Sequence, residues 1–436
     1  MTPAELSRTV LRTVRCAVEA GELRVTVPTR AVVRRPPRPG CGDYATNIAL
    51  QLAGSAGHTP RRVAEILRPR LAQASGVARV EIADPGFLNI TLDSASHSGL
   101  VRQVLGQADA YGYGDALAGR TVVLAFRHET RAAVTADAVA RIMRTQGADI
   151  TLRCEPGAGQ SRASGGDPDW AGLGVNVPSR LSAAADAPES FGDEASVNVD
   201  GSRPARPGTG SASAAGAASS AVVRSSSASA PSASVIRPVP VALSADELLR
   251  TLGPDAARWA LLRPAAHDHV RVDAQELLAQ REVNPLFRIR YAHARTCALL
   301  RNAADLGVPG EAGTLHPAVD DLPAIDDLAA PDDLATPDDL GSPDALPVVD
   351  DLLGAIGEYP AVLASAARLR APDRVARHLE ATADAFFRFH DTCPVLPRGD
   401  EKPEAAHRAR VALAQAAGTV LAGGLHLLGI TAPAHL

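Results

Sequence analysis

Residues 281–301 read REVNPLFRIRYAHARTCALLR, a stretch that predicts one long helix with a polar and aromatic face. Four residues spaced four, three and four apart share that face: Asn284, Arg288, Tyr291 and Arg295. An amide, two guanidiniums and an aromatic ring suit single-stranded RNA, whose splayed bases stack on and pair with such groups. Tyr291 also fits a core position, because Phe287, Ala294 and Ala298 continue an apolar stripe through it.

The sequence on either side of this helix predicts a domain that is helical throughout, over 236–436. Ser244 and Glu247 form a capping box at the start of ALSADELLRTLGPDAARWALLR, and Arg258 in that segment is expected to make a structural ion pair. A repeat of Asp-Asp-Leu, interrupted by prolines, predicts an acidic insert over 318–351. One hypothesis is that this insert folds back on the basic face of the helices and competes with RNA.

The N-terminal residues 1–95 predict a small α/β module. Leu6, Val10, Val14 and Val18 recur every fourth residue, as on one face of a helix. Further helices are expected over Ala45–Leu52 and Pro60–Leu71. Strands are expected over Val80–Ile82 and Phe87–Leu92, on either side of the turn Asp84-Pro85-Gly86.

Between these regions the pattern changes twice. Residues 120–154 predict a strand, a helix over Ala132–Gln146 and a second strand, which is one βαβ-like unit. Residues 156–234 are rich in Ser, Ala and Gly and predict a disordered linker, because they cannot bury enough apolar area to offset chain entropy.

Composition excludes several classes of protein. The five cysteines stand singly, which argues against a zinc site or a disulfide framework, and the isolated pair His267 and His269 is expected to lie in a loop. No run of about 18 apolar residues predicts a membrane span. We therefore expect a cytoplasmic protein with no metal site and no membrane partner.

Four stretches resemble arginyl-tRNA synthetases. Their sequences are GDYATNIALQL (42–52), VEIADPGFLNI (80–90), the helix 281–301 and ALAQAAGTVLAGGLHLLGITAP (412–433). The first two are similar to the N-terminal add-on domain of that family and the last two to its DALR anticodon-binding domain. The resemblance implies a multidomain fold: the α/β module 1–95, a truncated Rossmann-like remnant at 118–155, the disordered linker 156–234 and the all-α DALR domain 236–436.

The resemblance fails where the family performs its chemistry. The ATP-binding HxGH signature of the family corresponds here to Phe126-Arg127-His128-Glu129. A KMSK loop is expected just before Leu243, but that segment is IRPVPVAL, and Lys402 is the only lysine in the sequence. The chain is thus similar to a degenerate paralogue with no catalytic residues and no cofactor. His128 and Glu129 are expected to form a loop or a helix start rather than an acid–base pair.

The resemblance implies that tRNA is the partner. Beyond the helix 281–301, the family's add-on domain contacts the tRNA elbow, which implies phosphate contacts from four arginines of the module: Arg34, Arg35, Arg61 and Arg62. A solvated basic surface is the alternative for these four. Arginine tRNAs and the intact synthetase are further candidate partners.

Two other functions stay open at this point. One is an arginine–tRNA ligase with altered motifs, which would use ATP, and the other is a scaffold that binds proteins.

Overall fold

Buried apolar side chains fall into two groups in the computed structural model, which describes residues 1–36, 41–155, 169–176, 232–315 and 345–436. The first group lies in the N-terminal segment, from Leu6 to Leu92. The second is larger, runs from Leu100 to Ile430 and includes side chains from both strands and helices. The strands after residue 120 therefore share one core with the C-terminal helices, while the domain boundaries given above stay a prediction.

The N-terminal segment folds as an α/β module. In chain order its elements are α1 (Pro3–Glu19), β1 (Val33–Arg34), β2 (Tyr44–Thr46), α2 (Ile48–Ala56), α3 (Pro60–Ala72), β3 (Val77–Ala83) and β4 (Phe87–Leu92). The strands form an antiparallel sheet in the order β1-β2-β4-β3. Helix α1 begins at a capping box between Thr2 and Glu5, and the predicted spacing is confirmed because Leu6, Val10 and Val14 are buried.

The helix predicted over Ala45–Leu52 begins later in the structure than the sequence analysis expected. The hairpin β3–β4 confirms the two strands that were expected around Asp84-Pro85-Gly86. Strand β4 also pairs with β2, which places Tyr44 opposite Ile90. Because this pairing keeps the first residues of the predicted helix Ala45–Leu52 extended, helix α2 begins only at Ile48.

A three-stranded parallel sheet follows the module. The elements of this region are α4 (Ser94–Gln107), a 3-10 turn (Ala108–Ala110), β5 (Thr121–Arg127), α5 (Thr130–Arg144), β6 (Asp149–Glu155), α6 (Asp169–Gly172) and β7 (Ser232–Ile236). The strand order is β6-β5-β7, and both pairings are parallel. The predicted strand–helix–strand unit over 120–154 is confirmed, with β5 at the centre of the sheet.

The prediction of a linker over 156–234 is wrong in two places. Trp170 and Leu173, in the short segment 169–176, are buried in the second core, and the ring of Trp170 lies 5.9 Å from that of Phe126. Residues 232–236 add the strand β7 to the sheet. The sequence did not reveal these two pieces, because each is too short to show the hydrophobic periodicity of a helix or a strand. Residues 156–168 and 177–231 lie outside the described part of the chain.

The C-terminal region is helical, as predicted. Its elements are α7 (Ala245–Leu262), α8 (Ala274–Leu277), α9 (Pro285–Asp305), α10 (Ala345–Leu369), α11 (Asp373–Thr392) and α12 (Ala405–Leu427). Helix α7 begins at the predicted capping box of Ser244 and Glu247 and is kinked at Gly253, where φ is 72°. Residues 345–351 of the predicted acidic insert form the first turns of α10. The rest of that insert, up to residue 344, lies outside the described residues.

Arg258 connects the helical region to the sheet region. Its guanidinium donates to the Asp137 carboxylate of α5 at 2.6 Å, and both side chains are buried. Two further donations go to the backbone carbonyls of Leu173, at 2.6 Å, and Leu428, at 2.7 Å. The structural ion pair predicted for Arg258 is confirmed. Burial lowers the pKa of the guanidinium, and the attraction of Asp137 opposes that shift.

Among the described residues, no helix has both the length and the apolar content that a membrane span requires.

Candidate nucleic-acid interface

Helix α9 begins at Asn284 because this residue caps it. The side-chain oxygen of Asn284 accepts the Leu286 N–H at 3.1 Å, and its amide donates to the carbonyls of Leu277 and Ala279 at 2.8 and 2.9 Å. The residue is only 4% exposed. The prediction that Asn284 contacts RNA is therefore wrong, because its polar atoms are used in starting the helix.

Arg288 lies on the predicted face but is engaged by the protein. Its Nε is 2.7 Å from an Asp384 carboxylate oxygen, an ion pair without the alignment of a hydrogen bond, and a terminal nitrogen lies 3.5 Å from Glu282. The guanidinium also stands 5.2 Å from the centre of the Phe387 ring. Contacts with two carboxylates and a ring leave Arg288 half-buried. Fewer of its N–H groups can therefore reach RNA than the sequence analysis assumed.

Tyr291 combines the two roles that were considered for it. Its ring stacks on Phe287 at 5.8 Å and on Phe387 of α11 at 5.6 Å, which is a packing contact. The residue is nevertheless 37% exposed. These three rings, which we call the aromatic ladder, pack on one another and leave Tyr291 partly open to solvent.

Arg295 is exposed and lines a cleft of about 300 Å³. Helix α9 contributes Arg295 and Asn302 to this cleft, and helix α11 contributes His390. The opposite wall is the loop 393–398, which ends in the exposed Arg398. Four polar side chains converge here around apolar groups such as Leu299, which is the composition expected of a pocket for an unstacked base.

The four arginines of the N-terminal module have different environments. Arg34 is exposed, and no acidic side chain of the described residues forms an ion pair with it. Arg61 and Arg62 are each 63% exposed and pair with neighbouring carboxylates at 3.0 to 3.6 Å. Arg35 binds the Asp351 carboxylate and donates to the Asp351 carbonyl at 3.1 Å. Arg35 therefore attaches the module to α10, and the phosphate contact predicted for it stays a prediction.

The start of helix α5 is closed by the protein's own side chains. Glu129 caps this helix, and its carboxylate accepts the N–H groups of Arg131 at 2.9 Å and Ala132 at 2.7 Å. The same carboxylate accepts the Val241 N–H at 3.1 Å. His128 packs on Trp170, with ring centres 4.7 Å apart. The predicted helix start is confirmed for this pair.

Arg131 closes the same region from the other side. It is 1% exposed, and its guanidinium donates to five backbone carbonyls at 2.8 to 3.2 Å, those of Val239, Leu261, Pro264, Ala265 and Asp268. Burial lowers its pKa, and Glu129 opposes the shift. Every N–H direction of this arginine is occupied by the chain, so Arg131 holds both Val239, before α7, and the segment at the end of α7 against α5.

A small cluster of possible metal ligands lies where the module meets α10. Asp43, His97 and Asp350 each have one ligand atom within 4.8 Å of the others. The Asp43 carboxylate already accepts the Leu92 N–H at 2.6 Å and lies 3.7 Å from His97 Nε2. All three side chains interact with other groups of the protein, so contacts within the chain account for the cluster.

Two family models match the sequence. The "Arginyl tRNA synthetase N terminal domain" matches residues 9–92, and the "DALR anticodon binding domain" matches residues 334–436. Curated relatives cover the whole chain. An "Arginine--tRNA ligase" of Renibacterium salmoninarum and another of Frankia alni are each 30% identical to it, with 100% of both chains covered. The chain belongs to the arginyl-tRNA synthetase family.

Solved structures of family members have the same fold. The Thermus thermophilus arginyl-tRNA synthetase matches with a TM-score of 0.61 at 16% identity, with 100% of both chains covered. The Plasmodium falciparum enzyme matches with a TM-score of 0.63 at 9% identity, over 100% of this chain and 99% of the other. The α/β module followed by a DALR helical domain is therefore the fold of an arginyl-tRNA synthetase.

The alignment with a curated relative has more positions than this chain has residues. The alignment with the Renibacterium protein runs over 577 positions, whereas this chain has 436 residues. At least 141 positions (577 − 436) of that alignment therefore hold no residue of this chain.

The sequence prediction missed three residues of the cleft. Asn302 follows Arg295 by seven residues, so the helical spacing of α9 could have identified it. His390 and Arg398 come from a helix and a loop about a hundred residues later, and no local pattern in the sequence connects them to α9.

Proposed function

We propose that this member of the arginyl-tRNA synthetase family binds tRNA but does not activate arginine. The cleft between α9, α11 and the loop 393–398 would hold a base of the anticodon region, with the aromatic ladder beside it. The observation that carries the proposal is the closed start of α5, where Glu129 occupies the N–H groups that an anion would need.

The argument about α5 is electrostatic. In parallel α/β folds, nucleotide phosphates bind at the turn between a strand and the N-terminus of the next helix, where free N–H groups point outward. Here β5 leads into α5, but the N–H groups of Arg131 and Ala132 donate to the Glu129 carboxylate. A triphosphate at this place would face a carboxylate instead of free donors, so its negative charge would be repelled rather than stabilised.

Adenylation also needs positive charge beside the phosphates of ATP, and the buried arginine at the start of α5 does not supply it. The nearby Arg131 is buried with its donors directed at carbonyls. Lys402 is the only lysine of the sequence and lies between α11 and α12. Contacts to developing charge are each worth about 3–4 kcal/mol of the barrier in well-studied enzymes, so their loss would leave no useful adenylation.

The cleft supports the other half of the proposal. Arg295, Asn302, His390 and Arg398 offer donors to the edges of a base or to a phosphate, and the partly exposed Tyr291 lies on the same helix as Arg295. Two of these residues, His390 and Arg398, fall within residues 334–436, which match a domain model described as anticodon-binding.

Arginine–tRNA ligase activity is the second candidate. The observation that favours it is that relatives named "Arginine--tRNA ligase" match this chain over its whole length and theirs. The two candidates differ in a single property, since both predict binding to tRNA and only the ligase predicts the formation of arginyl adenylate.

Two assays on the purified full chain separate the candidates. In the first, arginine-dependent ATP–pyrophosphate exchange is measured with total tRNA present. Exchange above the protein-free background would favour the ligase, and exchange at background supports our proposal.

In the second assay, tRNA binding is measured near physiological salt for the natural chain and for Arg295→Ala. The matched control is Arg250→Ala, which removes one exposed arginine of α7 that pairs only with Asp246 among the described residues. Weaker binding by Arg295→Ala alone supports the cleft. No binding of tRNA by the natural chain would contradict the proposal and favour a protein-binding scaffold.

A further inference from the structure

A second crevice, of about 480 Å³, lies where the N-terminal module meets helices α10 and α11. Strand β1 contributes Arg34. Helix α10 contributes Glu358 and Ser365, and helix α11 contributes Arg374, Arg377 and His378. A volume of this size falls within the range of small-molecule sites. The cleft that we assign to RNA shares none of these residues.

The positive charge around this crevice is only partly balanced. Arg377 pairs with Asp373 at 2.9 Å, whereas Arg374 contacts only the Ser365 hydroxyl, at 3.4 Å, among the groups the structure describes. Arg374 and Arg377 also lie in the first turns of α11, where the positive end of the helix dipole disfavours cations. Arg34 approaches from the module without an acidic partner in the described residues. An anion between these three guanidiniums would relieve their repulsion and could be bound in a forked geometry.

His378 provides the second, independent feature of the crevice. It is only 7% exposed, and its Nε2 atom is buried with no hydrogen-bond partner among the described groups. The ring is engaged by a hydrogen bond to the backbone of Ala355 and stacks on Tyr359 at 5.8 Å. Burial lowers the pKa of His378 to about 4, so the ring is neutral at pH 7. Since the other nitrogen bonds the Ala355 carbonyl, Nε2 carries a lone pair and needs a donor.

Glu358 adds a second acceptor on the same wall. It is half-buried, and burial raises the pKa of its carboxyl group while Arg35 opposes that shift. A ligand that satisfies the whole crevice therefore offers negative charge to the arginines and hydroxyl donors to His378 and Glu358.

We propose that this crevice is a binding site for a small phosphate ester that bears hydroxyl groups, of the sugar-phosphate class. The phosphate lies between Arg34, Arg374 and Arg377, and a hydroxyl donates to His378 Nε2. The buried position of Nε2 favours a small ligand over a polymer backbone, because a phosphodiester chain that lies on the protein surface cannot donate to a buried atom. The proposal does not depend on the function proposed above.

Calorimetric titration of the full chain with ribose 5-phosphate tests the proposal. Inorganic phosphate and ribose are titrated separately, at physiological salt. We expect ribose 5-phosphate to bind more tightly than either fragment. Arg374→Gln and Arg34→Gln should each weaken it about tenfold, the value expected for the loss of one charge-assisted hydrogen bond. Arg368→Gln is the matched control, because it removes an exposed arginine of α10 that does not line the crevice.

His378→Phe keeps the ring and removes the acceptor. This variant should bind ribose 5-phosphate no better than inorganic phosphate. If it does not fold, the two surface arginine variants still decide the question. Absence of binding by ribose 5-phosphate would overturn the proposal, and so would an equal loss in Arg368→Gln. Weaker tRNA binding by Arg374→Gln without any binding of ribose 5-phosphate would assign the crevice to RNA instead.

Discussion

The start of helix α5 and the cleft beside helix α9 are both rich in polar side chains, but they use them in opposite ways. At α5, Glu129 and Arg131 direct their polar atoms at the backbone of the same chain. At α9, Arg295 and Asn302 are exposed, and they face a cavity. A polar group whose partners lie within the chain stabilises the fold, whereas a cluster that opens to solvent is available to a ligand. This difference underlies our proposal that this family member binds tRNA without activating arginine.

The largest effect is expected from Arg258→Met. This change leaves the Asp137 carboxylate buried, with only the half-exposed Arg141 beside it, and it removes the donors of two carbonyls. Loss of one partner of a buried pair costs about 3–5 kcal/mol. Urea unfolding should detect this loss, and Arg250→Met in the same helix should change the free energy of unfolding by less than about 0.5 kcal/mol. A loss below about 1 kcal/mol for Arg258→Met would mean that the pair does not join the two regions.

The buried His378 predicts a pH dependence of stability. Its pKa is lowered from 6.5 to about 4 by burial, so the unfolded state takes up a proton first as the pH falls. The stabilisation is present above pH 6.5 and is lost as the pH falls from 6.5 to 4, by about 3 kcal/mol in total. His378→Phe should flatten this part of the stability curve, and His267→Phe, at an exposed site, should not. A curve that keeps its slope in His378→Phe would contradict the assignment.

Glu129→Ala tests the closed side of the comparison. Removal of a helix cap lowers the free energy of unfolding by about 1 kcal/mol, and the Glu129 carboxylate also accepts the Val241 N–H. Thermal or urea unfolding should report a loss of that size, with Glu19→Ala at the exposed end of α1 as the control. An unchanged stability would show that the N–H groups of α5 do not depend on Glu129 and are free for other partners.

The last prediction concerns the open side, where no effect on stability is expected. Arg295→Ala should leave the free energy of unfolding unchanged, because the side chain is exposed, and should weaken tRNA binding about tenfold. Filter binding at several salt concentrations should also give a shallower salt dependence, as expected when one cation is removed from the interface. A loss of stability without a loss of tRNA affinity would mean that Arg295 stabilises the fold, as Arg258 does, and does not bind RNA.

Much of the fold could be predicted from local pattern. The spacing of Leu6, Val10 and Val14 identified α1, and the capping box of Ser244 identified the start of α7. Strand β7 could not be found in this way, because five residues in a low-complexity region gain their structure only by pairing with β5.

The candidate site was less predictable, for two different reasons. The sequence did contain the signal for Asn284, since an Asn followed by Pro is typical of a helix start, and the surface interpretation overlooked it. For Arg35 the sequence contained no signal, because its partner Asp351 is 316 residues away. His390 and Arg398 likewise reach the cleft only when α11 has packed against α9.

Hydrogen–deuterium exchange of the full chain, with tRNA or with ATP and arginine added, tests the central comparison most directly. We expect tRNA to slow exchange in α9 and in the loop 393–398. We expect ATP and arginine to leave residues 126–132 unchanged, because the N–H groups of Arg131 and Ala132 already donate to the Glu129 carboxylate. Protection of residues 126–132 by ATP, with none in the loop 393–398 on addition of tRNA, would contradict the account.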